Sequence, residues 1–142
     1  MTRSMKTLSL VVALGALLAA CGGSAGAGSS ATTTITSRPS SPAKLAVASP
    51  RNGQVIKGST VKVRLRLSGA RIVRPTSQHI TPTTGHVHVF LDNRIISMNY
   101  GLTDSIGKVS AGPHVLRVEF VASDHLPFDP RVVASAVFRV TR

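Results

Sequence analysis

The amino-acid sequence predicts an all-β domain behind an N-terminal targeting segment, and three observations carry that prediction. Residues 60–67 alternate strictly, with Val61, Val63, Leu65 and Leu67 on one face and Lys62, Arg64 and Arg66 on the other, the period-2 signature of a half-buried strand. Residues 114–121 repeat the pattern, with Leu116, Val118 and Phe120 inward and Arg117 and Glu119 outward. Turn residues punctuate the segments between, and beyond the first twenty residues no stretch carries the 3.6-residue period of an amphipathic helix.

Taken in order, the chain opens with Arg3 and Lys6 ahead of an apolar run over residues 8–20. Thirteen residues of helix rise only ~20 Å, short of a ~30 Å hydrocarbon core, so residues 1–20 read as a secretory signal and not as a permanent span. The run ends in Leu18-Ala19-Ala20-Cys21, followed by Gly22-Gly23-Ser24. Small residues fit a narrow peptidase cleft, and the thiol is the nucleophile for thioether attachment of diacylglycerol. This segment resembles the lipobox of bacterial lipoproteins. The resemblance implies cleavage before Cys21, lipidation of Cys21 and an extracytoplasmic domain anchored to a bacterial membrane. Cys21 is the only cysteine, so nothing remains for a disulfide, a thiolate metal site or a cysteine nucleophile. Stability must come from an apolar core, which a domain of nearly 100 residues can build.

Residues 22–44 are dominated by Gly, Ala, Ser, Thr and Pro, a composition that cannot offset chain entropy and is expected to form a flexible linker of ~25–30 Å mean reach. Gly26-Ala27-Gly28-Ser29-Ser30-Ala31 matches a dinucleotide-binding fingerprint in form only, because neither the preceding strand nor the following helix is there. From Leu45 the texture changes. Residues 45–48 form a first strand that 54–56 continue after the turn Pro50-Arg51-Asn52-Gly53; 60–67 form the next, and 70–73 lead into a polar loop over 75–85. Residues 86–91 and 94–98 make a hairpin across Asp92-Asn93. Residues 99–109 hold one strand broken at Gly101 or Gly107, and Ser110-Ala111-Gly112-Pro113 turns the chain into 114–121. A loop at 123–130 precedes the last strand, 131–140. Seven or eight short strands at this spacing predict a single immunoglobulin- or fibronectin-III-like β-sandwich over residues 45–142.

Several short motifs also resemble a family of bacterial extracytoplasmic domains of unassigned function, expected to be immunoglobulin-like. They are Gly85-His86-Val87-His88 with Asp92, Gly112-Pro113-His114-Val115-Leu116, and Asp124-His125-Leu126-Pro127 with Pro130. Ser49-Pro50, Gly53, Val55, Gly58 and Leu67-Ser68-Gly69 resemble that family's opening, so the similarity spans about 95 residues. Val87 and Phe128 stand where the family carries histidine. The family implies no activity.

Histidine is the residue type with chemical interest. Positions i and i+2 of a strand share a face, so His86 and His88 lie side by side, and with Val87, Val89 and Leu91 claiming the core both imidazoles are expected to face outward. If 86–91 and 114–121 are antiparallel neighbours, His86, His88, Asp124 and His125 gather at one pole with His79 above them, and His114 lies at the other. Neutral imidazole ligates copper or zinc, so these four residues form the candidate metal site. Met98 hints at copper but reads as core filler beside a hairpin. The five acidic residues of the domain, Asp92, Asp104, Glu119, Asp124 and Asp129, show no paired spacing for acid–base catalysis. Lys108-Val109-Ser110-Ala111-Gly112 lacks the first glycine of a nucleophile elbow. No enzyme is expected, and no cofactor is required by the fold.

Charge sets the remaining expectation. Without Arg3 and Lys6 the chain carries 15 basic and 5 acidic residues, a net +10, and Lys62, Arg64 and Arg66 project from one strand face. That row is expected either to be a solvated face or to dock weakly on anionic matter, membrane lipid or envelope polymer. Nucleic acid is disfavoured, since four Phe, one Tyr and no Trp leave few stacking platforms. The sequence thus reads as a membrane-anchored, non-catalytic binding or interaction module, with an envelope protein or polymer as partner. The alternative is a histidine-based copper- or zinc-binding envelope protein.

Overall fold

The structure, a computed structural model, describes residues 37–74 and 79–142. The expected signal, Cys21, most of the linker and part of the 75–85 loop lie outside the described residues.

Nine strands form among the described residues, in the order β1 (Lys44–Ser49), β2 (Gln54–Lys57), β3 (Val61–Ser68), β4 (Arg71–Ile72), β5 (Thr84–Leu91), β6 (Arg94–Asn99), β7 (Thr103–Ile106), β8 (Gly112–Val121) and β9 (Pro127–Thr141). They make two sheets. The smaller has the order β1-β3-β7, and the larger runs β2-β9-β8-β5-β4 with β6 also paired to β5. The fold is the all-β sandwich that the alternation predicts.

The inward faces of the two sheets meet in one apolar core. β3 contributes Val61, Val63 and Leu65, β5 Val87 and Val89, β8 Leu116, Val118 and Phe120, and β9 Phe138 and Val140, all buried. Phe128 stacks on Phe120 with ring centroids 5.6 Å apart. Val87 and Phe128 are both core residues.

Three elements differ from expectation. Residues 54–56 do not continue β1; as β2 they pair in parallel with β9 in the other sheet, because the turn at Pro50 and Gly53 (φ 75) redirects the chain. The last strand begins at Pro127, inside the expected loop, and Val121 pairs with Pro127 across a register shift. Its cis Asp129–Pro130 bond lies within the strand. The third concerns the end of the expected linker: Ala43 is buried, the Asp129 amide donates to Pro39 O at 3.1 Å, and Arg38 grips the loop after β8.

What positions the site is the β5–β8 register. His86 stands opposite Val121, His88 opposite Glu119 and Val89 opposite Val118. Gly85 permits this approach: a Cβ there would lie 1.9 Å from Val121 O and 3.0 Å from the Phe120 ring.

Candidate metal centre

With Val87 and Val89 in the core, His86 and His88 occupy the opposite, outer face of β5. That face is not open to solvent as expected. β8 sets Glu119 beside His88 and Val121 beside His86. On the other flank β6 sets Met98 opposite His88, and the Tyr100 ring lies 5.3 Å from that of His86. The loop after β8 folds back over both. His86 is consequently fully buried and His88 only 8% exposed. Alternation identifies which face a side chain takes; what covers that face depends on strands and loops distant in sequence.

The covering loop carries His125. It is closed by two backbone bonds, Ala122 N–H to Leu126 O at 3.1 Å and His125 N–H to Ala122 O at 3.0 Å. His125 itself is held at φ 65, a left-handed conformation that costs a non-glycine residue ~1–2 kcal/mol. Arg38 fixes the loop from outside. Its guanidinium spans both Asp124 oxygens at 2.6 and 3.0 Å and donates to Leu126 O at 3.0 Å and Pro127 O at 2.8 Å.

The three rings converge. His86 Nε2 lies 3.1 Å from His88 Nε2 and 3.0 Å from His125 Nδ1, and all three nitrogens fall within 4.8 Å of one another. Burial, reinforced by the neighbouring His88 and His125, lowers the pKa of His86 to about 4. Burial and His125 also hold His88 below its usual value, although Glu119 pulls it upward. The pair is therefore neutral at physiological pH, the ligating form of imidazole. A neutral ring has one N–H and one lone pair, so His86 Nε2 has a single proton or lone pair for two neighbours. Its Nδ1 is buried without any partner, an uncommon condition for a native polar atom. With its proton on Nδ1, the ring turns a lone pair into the triangle. Metal–nitrogen bonds of ~2.0–2.1 Å call for nitrogens ~3.3–3.6 Å apart. The two spacings at His86 Nε2 come within a few tenths of an ångström of that value, and the third pair lies within 4.8 Å.

Of the four residues expected at this pole, His86, His88 and His125 are brought together. Asp124 adjoins them in sequence, but Arg38 engages both of its oxygens and lowers its pKa, and it is outside the ligand group. Glu119, expected on a solvated face, is 1% exposed. Arg131 holds it at 2.6 and 2.7 Å and Arg117 at 3.1 Å, and Arg117 also lies 3.7 Å above the Phe90 ring. Burial would raise the Glu119 pKa, but the two arginines outweigh it and keep the carboxylate ionised and occupied. His79 is exposed on its loop and outside the group. His114 sits at the opposite pole as expected, its Nδ1 2.7 Å from Asp92 Oδ2. Lys62, Arg64 and Arg66 are exposed and, with Arg51 and Asn52, line a concavity of about 800 Å³ on the smaller sheet.

Sequence reasoning missed Arg38, Tyr100 and the position of Met98. Arg38 lies in a stretch whose composition signals only linker, and Tyr100 in a segment of ambiguous period. Met98 is 48% exposed and is not core filler.

Comparison with solved structures agrees with the architecture. The chain is similar to a fibronectin(III)-like module of CbhA from Clostridium thermocellum, with TM-score 0.51 and 17% identity over 68% of this chain and 93% of that one. It is also similar to the CARDB domain of PF1109 from Pyrococcus furiosus, with TM-score 0.47 and 11% identity over 72% and 97% of the two chains. A third similarity is to the PKD domain of human KIAA0319, with TM-score 0.43 and 14% identity over 80% and 92%. No protein-family model and no curated protein matches the chain. The first of these similarities supports a fibronectin-III-like sandwich, and the fold alone.

Proposed function

We propose that this protein is a lipid-anchored extracytoplasmic binding module whose ligand is a transition-metal ion held by His86, His88 and His125. The observation that carries the reading is the convergence of three ring nitrogens, two of them at 3.0 and 3.1 Å from the third, with no carboxylate among them. Imidazole-only sites suit copper and zinc and not magnesium or calcium, which take oxygen ligands. The role is non-catalytic: among the described acidic groups Glu119 and Asp124 are committed to arginines and Asp92 to His114. The lipobox-like segment at Cys21 supports the anchor and the location. The basic row supports a second, weaker contact with anionic lipid or envelope polymer.

Titration of Cu(II) and of Zn(II) into the Cys21→Ser chain, which removes the competing thiol, tests the metal reading. One equivalent should bind with micromolar or tighter affinity, and His86→Ala, His88→Ala and His125→Ala should each weaken it by about 100-fold or more. Absence of binding in the wild-type domain would discard the metal and leave an interaction module.

A further inference from the structure

We propose that the metal this site selects is copper in its monovalent state, with the Met98 thioether as the fourth ligand; the proposal rests on the three-histidine reading above. Met98 stands directly opposite His88 in the antiparallel β5–β6 pair. Residues so paired project from the same face with Cβ atoms ~4.5–5.5 Å apart. Its unbranched side chain has enough rotatable bonds to carry the sulfur over the His88 ring edge. The register shift in this pair falls beyond it, between Val89 and Phe90, so the His88–Met98 alignment is regular.

Packing gives no other account of the residue. Met98 is 48% exposed on the outer face of the larger sheet, while the core lies on the opposite side of β5. The carboxylates that flank the histidine triangle are engaged by arginines. Glu119, on the β8 side of His88, is bonded to two arginines. Tyr100, on the β6 side of His86, lies under Arg74, whose guanidinium carbon is 5.3 Å from the ring centre. Asp124, next to His125, is held by Arg38. Arg74 covers the ring face of Tyr100 and leaves its hydroxyl, a hard oxygen; the thioether is the soft donor beside the triangle. Thioether and imidazole are a soft set, and thioether ligation favours Cu(I) where carboxylate or water would favour harder ions. His86 and His88 are buried while His125 and Met98 lie at the surface, so the single positive charge of Cu(I) is the smaller charge to be desolvated on the inner side of the site.

The test uses the Cys21→Ser chain under anaerobic, reducing conditions, with chromophoric chelators competing separately for Cu(I) and Zn(II). Wild-type protein should take one Cu(I), and X-ray absorption at the copper edge should show one sulfur beside nitrogen scatterers. Met98→Leu should lose that sulfur and weaken Cu(I) about tenfold or more, leaving Zn(II) affinity within about twofold. His86→Ala should abolish both. If wild type binds both ions and Met98→Leu changes neither, Met98 is not a ligand, and if it changes both equally, Met98 does not select copper; either result overturns the copper assignment while the three-histidine site stands. If wild type binds neither ion, the three-histidine reading itself falls.

Discussion

His125 concentrates the chemistry of the site in a single strained residue. Its left-handed backbone at φ 65 is unfavourable for a ring-bearing side chain and costless for glycine. A residue kept in such a conformation at a convergence of rings is held there by its surroundings, here the Arg38 bonds and the closed loop. His125→Gly should therefore leave the metal-free domain within about 1 kcal/mol of wild type in a denaturant melt, relief of strain offsetting lost contacts and added chain freedom. The same variant should lose metal binding. A loss of several kcal/mol in the metal-free variant would instead make His125 a structural residue. Glu119 teaches the complementary lesson. Its position on an outward face is plain from alternation, but its burial beneath Arg117 and Arg131 depends on residue 131, twelve positions away on another strand.

At the scale of elements, the hairpin of β5 and β6 connects the two poles of the larger sheet. Its turn, Asp92-Asn93, has both residues at positive φ, 50 and 67, the conformation of a tight two-residue hairpin. Asp92 is tied to the start of β8 by the Val115 amide at 2.9 Å and by His114 at 2.7 Å. Burial alone would lower the His114 pKa, yet the Asp92 bond, the Ser110 carbonyl and the Asp92 charge together raise it above 6.5. On the Asp92 side burial pushes upward, and the Val115 and His114 bonds bring its pKa below 3.8. The signs follow by linkage. The His114 contribution is fully present below pH 6.5 and is lost as pH rises through its raised folded value. The Asp92 contribution is present above pH 3.8 and is lost as pH falls through its lowered one. The stability difference between wild type and His114→Gln should accordingly be largest near about pH 5 and shrink toward about pH 9, read from melts across that range. A difference constant over the range would show that the pair carries no charge-dependent term. Metal binding should be unaffected by this variant, since His114 lies at the far pole.

At the scale of the whole molecule, two predictions concern charge and the N-terminus. Cys21→Ala should block processing and abolish partitioning into detergent, as fractionation of cells would show; normal processing and membrane retention of that variant would remove the anchor from the account. The basic row faces away from the histidine site, on the smaller sheet, with Thr103 and Ser105 beside it on β7 and no acidic partner among the cross-strand pairs of β1, β3 and β7 on that face. Exposed charges of this kind act over ~8–10 Å at physiological salt. Full-length Cys21→Ser protein should thus bind acidic liposomes weakly and lose them between low salt and about 0.3 M, ignoring neutral ones. Changing Lys62, Arg64 and Arg66 together to Gln should remove most of that binding with the melt nearly unchanged, because no buried group is altered. Undiminished binding by the triple variant would reduce the row to a solubilising face.

Much of this molecule is determined by local pattern. Period-2 alternation in residues 60–67 and 114–121, with turn residues at 52–53 and 92–93, is sufficient for the class of fold and most of the inward residues; the antiparallel pairing of β5 with β8 is expected only on the assumption of sandwich topology, and the structure has it. That pairing in turn places His86, His88 and His125 at one pole and His114 at the other. Local pattern works here because a strand's side-chain period and a turn's backbone are set by neighbouring residues. Only the tertiary structure decided what lies over the outer face of β5. The folded-back loop, the register that puts Met98 opposite His88, the Arg131 that covers Glu119 and the reach of Arg38 to Asp124 join residues from 10 to 86 positions apart. Burial, and with it the neutrality of His86 and His88, is a property of that assembled neighbourhood: the desolvation that, with the neighbouring rings, brings His86 to about pKa 4 exists only once distant strands and loops have excluded the water.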